Sequence, residues 1–196
     1  MRLSSAEIDQ GILDVAAGIF AQHGFAQTSV QQVADAVGYS KPGLLHRFGS
    51  KEAMFRSGYQ YGVSLVEQVL TESGEIPFDE NRTRRILELL CRTALQHPGL
   101  IGMLIRSFEA GDDDLLSEEM RILGYKVLAL LDPPFGSAEQ RLRVVLAGQL
   151  IVNAATAQHK RVDFDVFLSP DDLVELVVDL SLQILGVPQP AVAGAR

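Results

Sequence analysis

Lys41, Arg47 and Lys51 lie close together in VADAVGYSKPGLLHRFGSKEAMF (33–55), and no acid interrupts the stretch between Asp35 and Glu52. The chain around them is acidic, with a net charge of −8. Residues 1–60 hold five bases and five acids, so the whole excess of acid lies beyond them. A neutral segment with clustered bases, set in an acidic chain, suits one confined contact with phosphate rather than a general coat on nucleic acid. Lys41 and Lys51 are suited to phosphate, as are backbone N–H groups at helix starts. His46 could bond a phosphate or a base. Gly43 removes a side chain where a backbone must come close to something.

Residue spacing offers little to other chemistry. There is no nucleophile elbow, no paired His/Glu metal motif and no glycine-rich phosphate loop. His97 and His159 lack a spaced companion and read as helix-end or surface histidines. GDDD (111–114) has the charge for a cation but reads as a solvated loop with acids at a helix start. Cys91 is the single cysteine, which excludes an internal disulfide and a cysteine-rich zinc site. It reads as a buried, inert thiol. A protein that is not an enzyme, with no cofactor and no metal, is expected. No apolar run approaches the roughly 18–20 residues a membrane span needs. The opening MRLSSAEIDQ lacks a secretory apolar core, so a cytoplasmic location is expected.

The elements that must position the basic stretch read as helices. The 196 residues are 47% hydrophobic and 21% charged, a globular composition that suits one large domain or two small ones. Ile12, Val15, Ala16, Ile19 and Phe20 mark one helix face, and Gly24 is placed to end it as a left-handed cap. Thr28 and Ser29 are N-caps for the next helix, with Gln31 or Gln32 completing a capping box in either register. Val30, Val33, Ala34 and Val37 form its apolar face. A short helix should start at Ser40 and a longer one near Ser50. Further helices are expected at about 80–96, 98–109, 115–131, 137–159 and 170–186, broken by Pro98, GDDD, DPPFGS and LSPDD. The fold class is therefore all-α, with about nine helices. The Pro-, Gly- and Ala-rich tail over 187–196 is expected to be flexible.

Residues 29–48 then form a helix-turn-helix. Ala34 is small where the two helices cross, and Gly38 permits the positive φ of the turn. Tyr39 follows, and Ser40 caps the second helix. Leu44 and Phe48 face back toward Val33 and Val37. Lys41, Pro42, Gly43, Leu45, His46 and Arg47 face outward. Pro42 sits in the first turn, where its missing N–H costs nothing. A basic helix start with small residues suits a reader of the DNA major groove.

The ordered features over residues 12–55 resemble the DNA-binding domain of TetR-family transcriptional regulators. The matching residues are AAGIFAQHGF closing the first helix, TSV opening the second, VADAVGYSK, and HRFGSKEAMF leading into the fourth. The resemblance implies a DNA-binding head at 5–50 and a ligand-binding and dimerisation domain at 51–186, with the 51–72 helix as connector. It implies a homodimer on double-stranded operator DNA, usually a repressor. A small effector bound in the C-terminal domain would release it by moving the fourth helix; an apolar or amphipathic effector is expected. By position, Thr28 and Ser29 would contact phosphate, Ser40 to His46 would form the recognition helix, and Lys51 would hold phosphate. Tyr39 lies in the same surface. Leu45 stands where the family often has Tyr, so a phosphate contact by a phenolic hydroxyl is not expected. Pro42-Gly43 replaces a commoner small-then-polar pair, which shifts weight to shape and backbone readout. The alternative reading is a helical protein–protein adaptor that has kept the head and lost DNA binding.

The C-terminal helices are apolar on more than one face. Leu173, Leu176, Val177, Leu180 and Ile184 form one stripe of the last helix; Val174, Val178 and Leu185 form another. Leu142, Val145, Leu146 and Leu150 make a stripe on the helix before it. Such helices need two partners, the chain's own core and either a second subunit or more of that core. With the resemblance, Leu142, Val145, Leu146, Leu173, Val177, Leu180 and Ile184 are expected at a dimer interface. Gln149, Asn153 and Thr156 lie along one face and would line either a ligand site or the interface. Met103, Leu104 and Phe108 are candidate apolar walls of a ligand site.

Overall fold

The computed structural model describes residues 4–110, 117–131, 137–160 and 168–187. Nine α-helices and no strand lie among them: α1 (Ser5–His23), α2 (Val30–Val37), α3 (Lys41–Phe48), α4 (Lys51–Glu75), α5 (Arg82–Gln96), α6 (Pro98–Ala110), α7 (Ser117–Leu131), α8 (Ala138–Lys160) and α9 (Pro170–Leu185). The GDDD segment and the tail from 188 onward fall outside the described residues, as do the side chains of Phe108 and His159.

Helix ends follow capping chemistry. Ser4 and Glu7 form a reciprocal box at α1, as do Ser29 and Gln32 at α2, each satisfying two otherwise orphaned N–H groups. Ser40, Ser50 and Ser169 accept from the third residue on at α3, α4 and α9. Gly186 ends α9 in the left-handed region with φ 73° and ψ 23°. Gly24 differs from expectation: its φ of 80° comes with ψ of 156°, so the chain leaves α1 extended and not through a left-handed turn. α4 also runs three residues past the expected 72. Val69 and Ser73 are buried there, and burial of that face outweighs the roughly 1 kcal/mol that Gly74 costs a helix.

The chain divides into two packing units, 1–68 with 96–124, and 69–95 with 125–196. In the first, α1 packs on α6 and on α2, and α2 packs on α3. Ile12, Leu13, Ala16, Ala17 and Phe20 supply the α1 side of this core; Val33, Ala34, Leu44, Met54, Leu100 and Met103 supply much of the rest. α1 and α6 touch backbone to backbone. A Cβ on Gly99 would stand 1.9 Å from the Asp14 carbonyl oxygen and 2.8 Å from the Gly18 nitrogen, so only glycine fits. The Leu100 N–H donates to Asp14 Oδ1 at 2.9 Å, which satisfies an N–H at the α6 start that has no intrahelical acceptor.

In the second unit, α8 packs on α9. Val144, Ala147, Ile151 and Ala155 of α8 are buried, as are Val174, Val177, Val178, Leu182 and Leu185 of α9. α5 buries Ile86, Leu87, Cys91 and Ala94. Arg84 pairs with Asp179 at 2.6 Å and Arg92 with Asp171 at 2.8 Å. These partly exposed pairs contribute at most about 1 kcal/mol each, whereas each buried large apolar side chain contributes about 1.5–3 kcal/mol. The apolar face therefore dominates the stability, and the ion pairs align α5 with α9.

Candidate nucleic-acid interface

The turn between α2 and α3 is locked from both sides. Ala34 and Leu44 are fully buried beside Val33, so the helices close on small and apolar side chains. Gly38 takes φ 71° and ψ 29°, a left-handed conformation that any Cβ would strain. The Tyr39 N–H donates to the Ala34 carbonyl at 2.9 Å, closing α2. Ser40 then caps α3, its hydroxyl accepting from the Gly43 N–H at 3.1 Å. A Cβ on Gly43 would lie 3.0 Å from that hydroxyl, so a side chain there would press on the cap.

This packing presents an exposed surface at the start of α3. Tyr39, Ser40, Lys41, Pro42 and His46 are exposed, and Gly43 and Leu45 are half-buried. Ser29 is also exposed, and its hydroxyl accepts from the Gln32 N–H at 3.2 Å. The face can accept a polyanion: it carries a cation, an imidazole and hydroxyl groups, with no acid between Asp35 and Glu52.

Three residues expected on this surface point elsewhere. Thr28 is buried, and its hydroxyl donates to the Gly24 carbonyl at 2.9 Å; it closes the α1–α2 loop and presents nothing to phosphate. Arg47 does not face outward. Its Nε bonds Asp9, and its Nη2 donates to the Ser5 carbonyl at 3.0 Å and the Ser5 hydroxyl at 2.9 Å. The Asp9 hydrogen bond pushes the guanidinium pKa further up. Lys51 Nζ donates to the carbonyls of Phe25 at 2.9 Å and Thr28 at 3.1 Å, and stands 4.2 Å from the centre of the Phe25 ring. That ring belongs to a cluster with Phe20 and Phe55, whose centroids are 5.1–5.8 Å apart.

The other expected site residues separate by burial. Met103 and Leu104 are buried against α4, where a Cβ on Gly58 or Gly62 would lie 3.7 Å from Met103 Cε and 3.2 Å from Leu104 Cδ1. They are core packing, not cavity walls. Val177, expected on the interface stripe, is 2% exposed and belongs to the chain's own core. Leu142 at 57% exposure, Val145, Leu146, Leu176 and Leu180 are open to solvent, while Leu173 and Ile184 are half-buried. Gln149 is half-buried and Asn153 exposed. Thr156 satisfies its hydroxyl on the Val152 carbonyl of its own helix at 2.9 Å. His97 packs edge-on to the Tyr61 ring at 5.7 Å, a structural contact. No cluster of three potential metal ligands and no helix long and apolar enough to cross a membrane occurs among the described residues.

Comparison with known proteins places this geometry. Residues 12–57 match the model for bacterial regulatory proteins of the tetR family. The chain is 32% identical over 65 residues to the HTH-type transcriptional repressor AcnR of Corynebacterium glutamicum, covering 33% of this chain and 35% of that protein. It is 46% identical over 43 residues to the HTH-type transcriptional repressor KstR2 of Rhodococcus jostii, covering 22% and 21%. These matches thus span about a third or less of the relatives' length. The fold extends further. A TetR-family regulator from Bordetella parapertussis aligns over 93% of this chain and 98% of its own, with a TM-score of 0.65 at 21% identity. AibR in complex with isovaleryl coenzyme A and operator DNA aligns over 88% and 97%, with a TM-score of 0.55 at 21% identity. Through the head built on α2 and α3, the chain belongs to the TetR family of transcriptional regulators.

Proposed function

We propose that the protein is a dimeric, cytoplasmic regulator that binds operator DNA through the start of α3 and acts as a repressor released by a small amphipathic effector. The observation that carries the reading is the exposed, acid-free start of α3, held by a turn that Gly38 and the buried Ala34–Leu44 contact make rigid. A helix N-terminal face of this kind enters the major groove, with Lys41 on phosphate and Pro42, Leu45 and His46 toward base edges and sugar. Leu45 offers contact to a thymine methyl, and the scarcity of polar side chains leaves much of the discrimination to DNA shape.

The proposed division is a reading head at 5–50 and an effector and dimer domain at 51–186. A second copy would cover the stripe formed by Leu142, Val145 and Leu146 on α8 with Leu176 and Leu180 on α9. Two such helices from each subunit make a two-fold four-helix interface. Gln149 and Asn153 continue the α8 stripe and so favour the interface over a ligand site. AibR, crystallised with an acyl-coenzyme A and operator DNA, supports pairing an amphipathic effector with this fold. Selection of bound sequences from a random duplex pool tests the reading. Enrichment of a two-fold symmetric sequence is expected, and failure to enrich any sequence would overturn it.

A further inference from the structure

We propose that Arg47 and Lys51 are positioning residues that build the reading head and do not themselves contact DNA phosphate. The proposal rests on the reading that the head binds duplex DNA.

The carbonyls that Lys51 satisfies belong to the loop between α1 and α2. After α1 ends, the Gly24 backbone turns extended, and carbonyls beyond a helix end have no partner of their own. An ammonium has three donors, and two of these are already on Phe25 and Thr28. The cation also lies over the Phe25 ring, so loop, aromatic cluster and α4 are joined at one point. Ser29, which opens α2, follows directly from a carbonyl that Lys51 holds. Lys51 therefore sets where α2 begins.

The α4 start is also occupied by its own carboxylate. Glu52 is held below its usual range chiefly by the bond from its own backbone N–H, and next by the Ser50 hydroxyl. A phosphate placed there would meet a fixed negative charge. Arg47 makes the matching contact on the other side of the head. It ties α3 to the first turns of α1 through Asp9 and Ser5, and Asp9 neutralises its charge. Lys41 is the base left exposed on the reading surface itself.

Salt dependence separates the two roles. Removing one cation from a phosphate makes the slope of log affinity against log salt shallower by about 0.9, whereas a displaced reading head binds less well by one factor at every salt concentration. Full-length wild type, Lys41→Met, Arg47→Met, Lys51→Met and Lys51→Arg would be titrated by fluorescence anisotropy against a selected duplex, from about 50 to 200 mM salt. Lys41→Met should show the shallower slope. Arg47→Met and Lys51→Met should bind more weakly along parallel lines, and Lys51→Arg should recover part of the affinity because a guanidinium can donate to both carbonyls. In the free protein, Lys51→Met should also speed hydrogen exchange at the Thr28 and Gln32 amides, which now bond to Phe25 and Ser29. A slope shallower by about 0.9 in Lys51→Met overturns the proposal whatever hydrogen exchange shows. If the wild type binds no duplex, the functional reading fails instead, and unchanged exchange in Lys51→Met would then overturn the positioning role by itself.

Discussion

Replacing Gly99 by Ala adds one methyl at the closest backbone approach in the first unit. The new Cβ would lie 1.9 Å from the Asp14 oxygen, 2.8 Å from the Gly18 nitrogen and 2.9 Å from the Asp14 carbonyl carbon. All three are backbone atoms of α1, so no side-chain rotamer relieves the clash; α1 and α6 must separate. Overpacking of this kind costs about 1–3 kcal/mol. Separation also stretches the 2.9 Å bond from the Leu100 N–H to the Asp14 carboxylate, and losing a hydrogen bond to a charged group costs about 1.5–3 kcal/mol. Alanine's better helix propensity returns at most about 1 kcal/mol. The net loss is roughly 2–5 kcal/mol, and at about 2–4 °C per kcal/mol for a chain of this size Tm should fall by roughly 4–20 °C. Thermal unfolding followed by circular dichroism reads it directly. Gly18→Ala is the control. Its Cβ would sit 3.5 Å from Gly99 Cα, an ordinary contact, so its Tm should stay level or rise. A Gly99→Ala protein as stable as wild type, or a Gly18→Ala protein equally damaged, would refute the close crossing of α1 and α6.

Three further outcomes are expected. Leu146→Asp should give a folded monomer by light scattering after size exclusion, because Leu146 is exposed within one chain; a dimer of unchanged affinity would remove α8 from the proposed interface. The Cys91 thiol, pushed up to about 11 by burial, should react with a disulfide reagent at pH 8 only as fast as the fold opens. The sign of the linkage follows: the unfolded thiol ionises near about 8.5, so this group's contribution to stability falls as pH rises from there through 11, and rapid labelling of native protein at pH 8 would contradict the burial. Ser73 is fully buried in α4 with its hydroxyl unbonded, so Ser73→Ala should stabilise by about 1 kcal/mol or more and raise Tm by about 2–4 °C; a lower Tm would show that the hydroxyl has a partner.

What the sequence disclosed and what it hid divide by distance along the chain. The Ser29–Gln32 box, the left-handed Gly38 and the Ser40 cap are set by residues three or four apart, and the pattern of residue types placed them correctly. The directions of Arg47 and Lys51 depend on Asp9 and Phe25, which are 38 and 26 residues away. Nothing local marks such a pair, and a base beside a helix start reads equally well as turned outward or inward. Thr28 failed for a related reason. Thr28 and Ser29 are equally good caps by type, and only the loop geometry sends one hydroxyl to Gly24 and leaves the other exposed. Gly99 followed Pro98 at a helix start, where a glycine needs no special explanation, so its approach to α1 was invisible. Along α9 the doubly apolar pattern was legible, yet which stripe faces the core was not: Val177 went inward with Val174 and Val178, while Leu176 and Leu180 stayed out.

If the start of α3 reads duplex DNA while the rest of the chain forms the dimer, one experiment separates the two roles. It is selection from a random duplex pool by wild type and by Gly38→Val, followed by anisotropy on the enriched sequence. Gly38 holds φ at 71°, which a β-branched side chain resists, so the variant should lose the turn and keep the dimer. Wild type should enrich a two-fold symmetric site, and Gly38→Val, still dimeric, should enrich none. Equal enrichment by both proteins, or by neither, would contradict this division of labour.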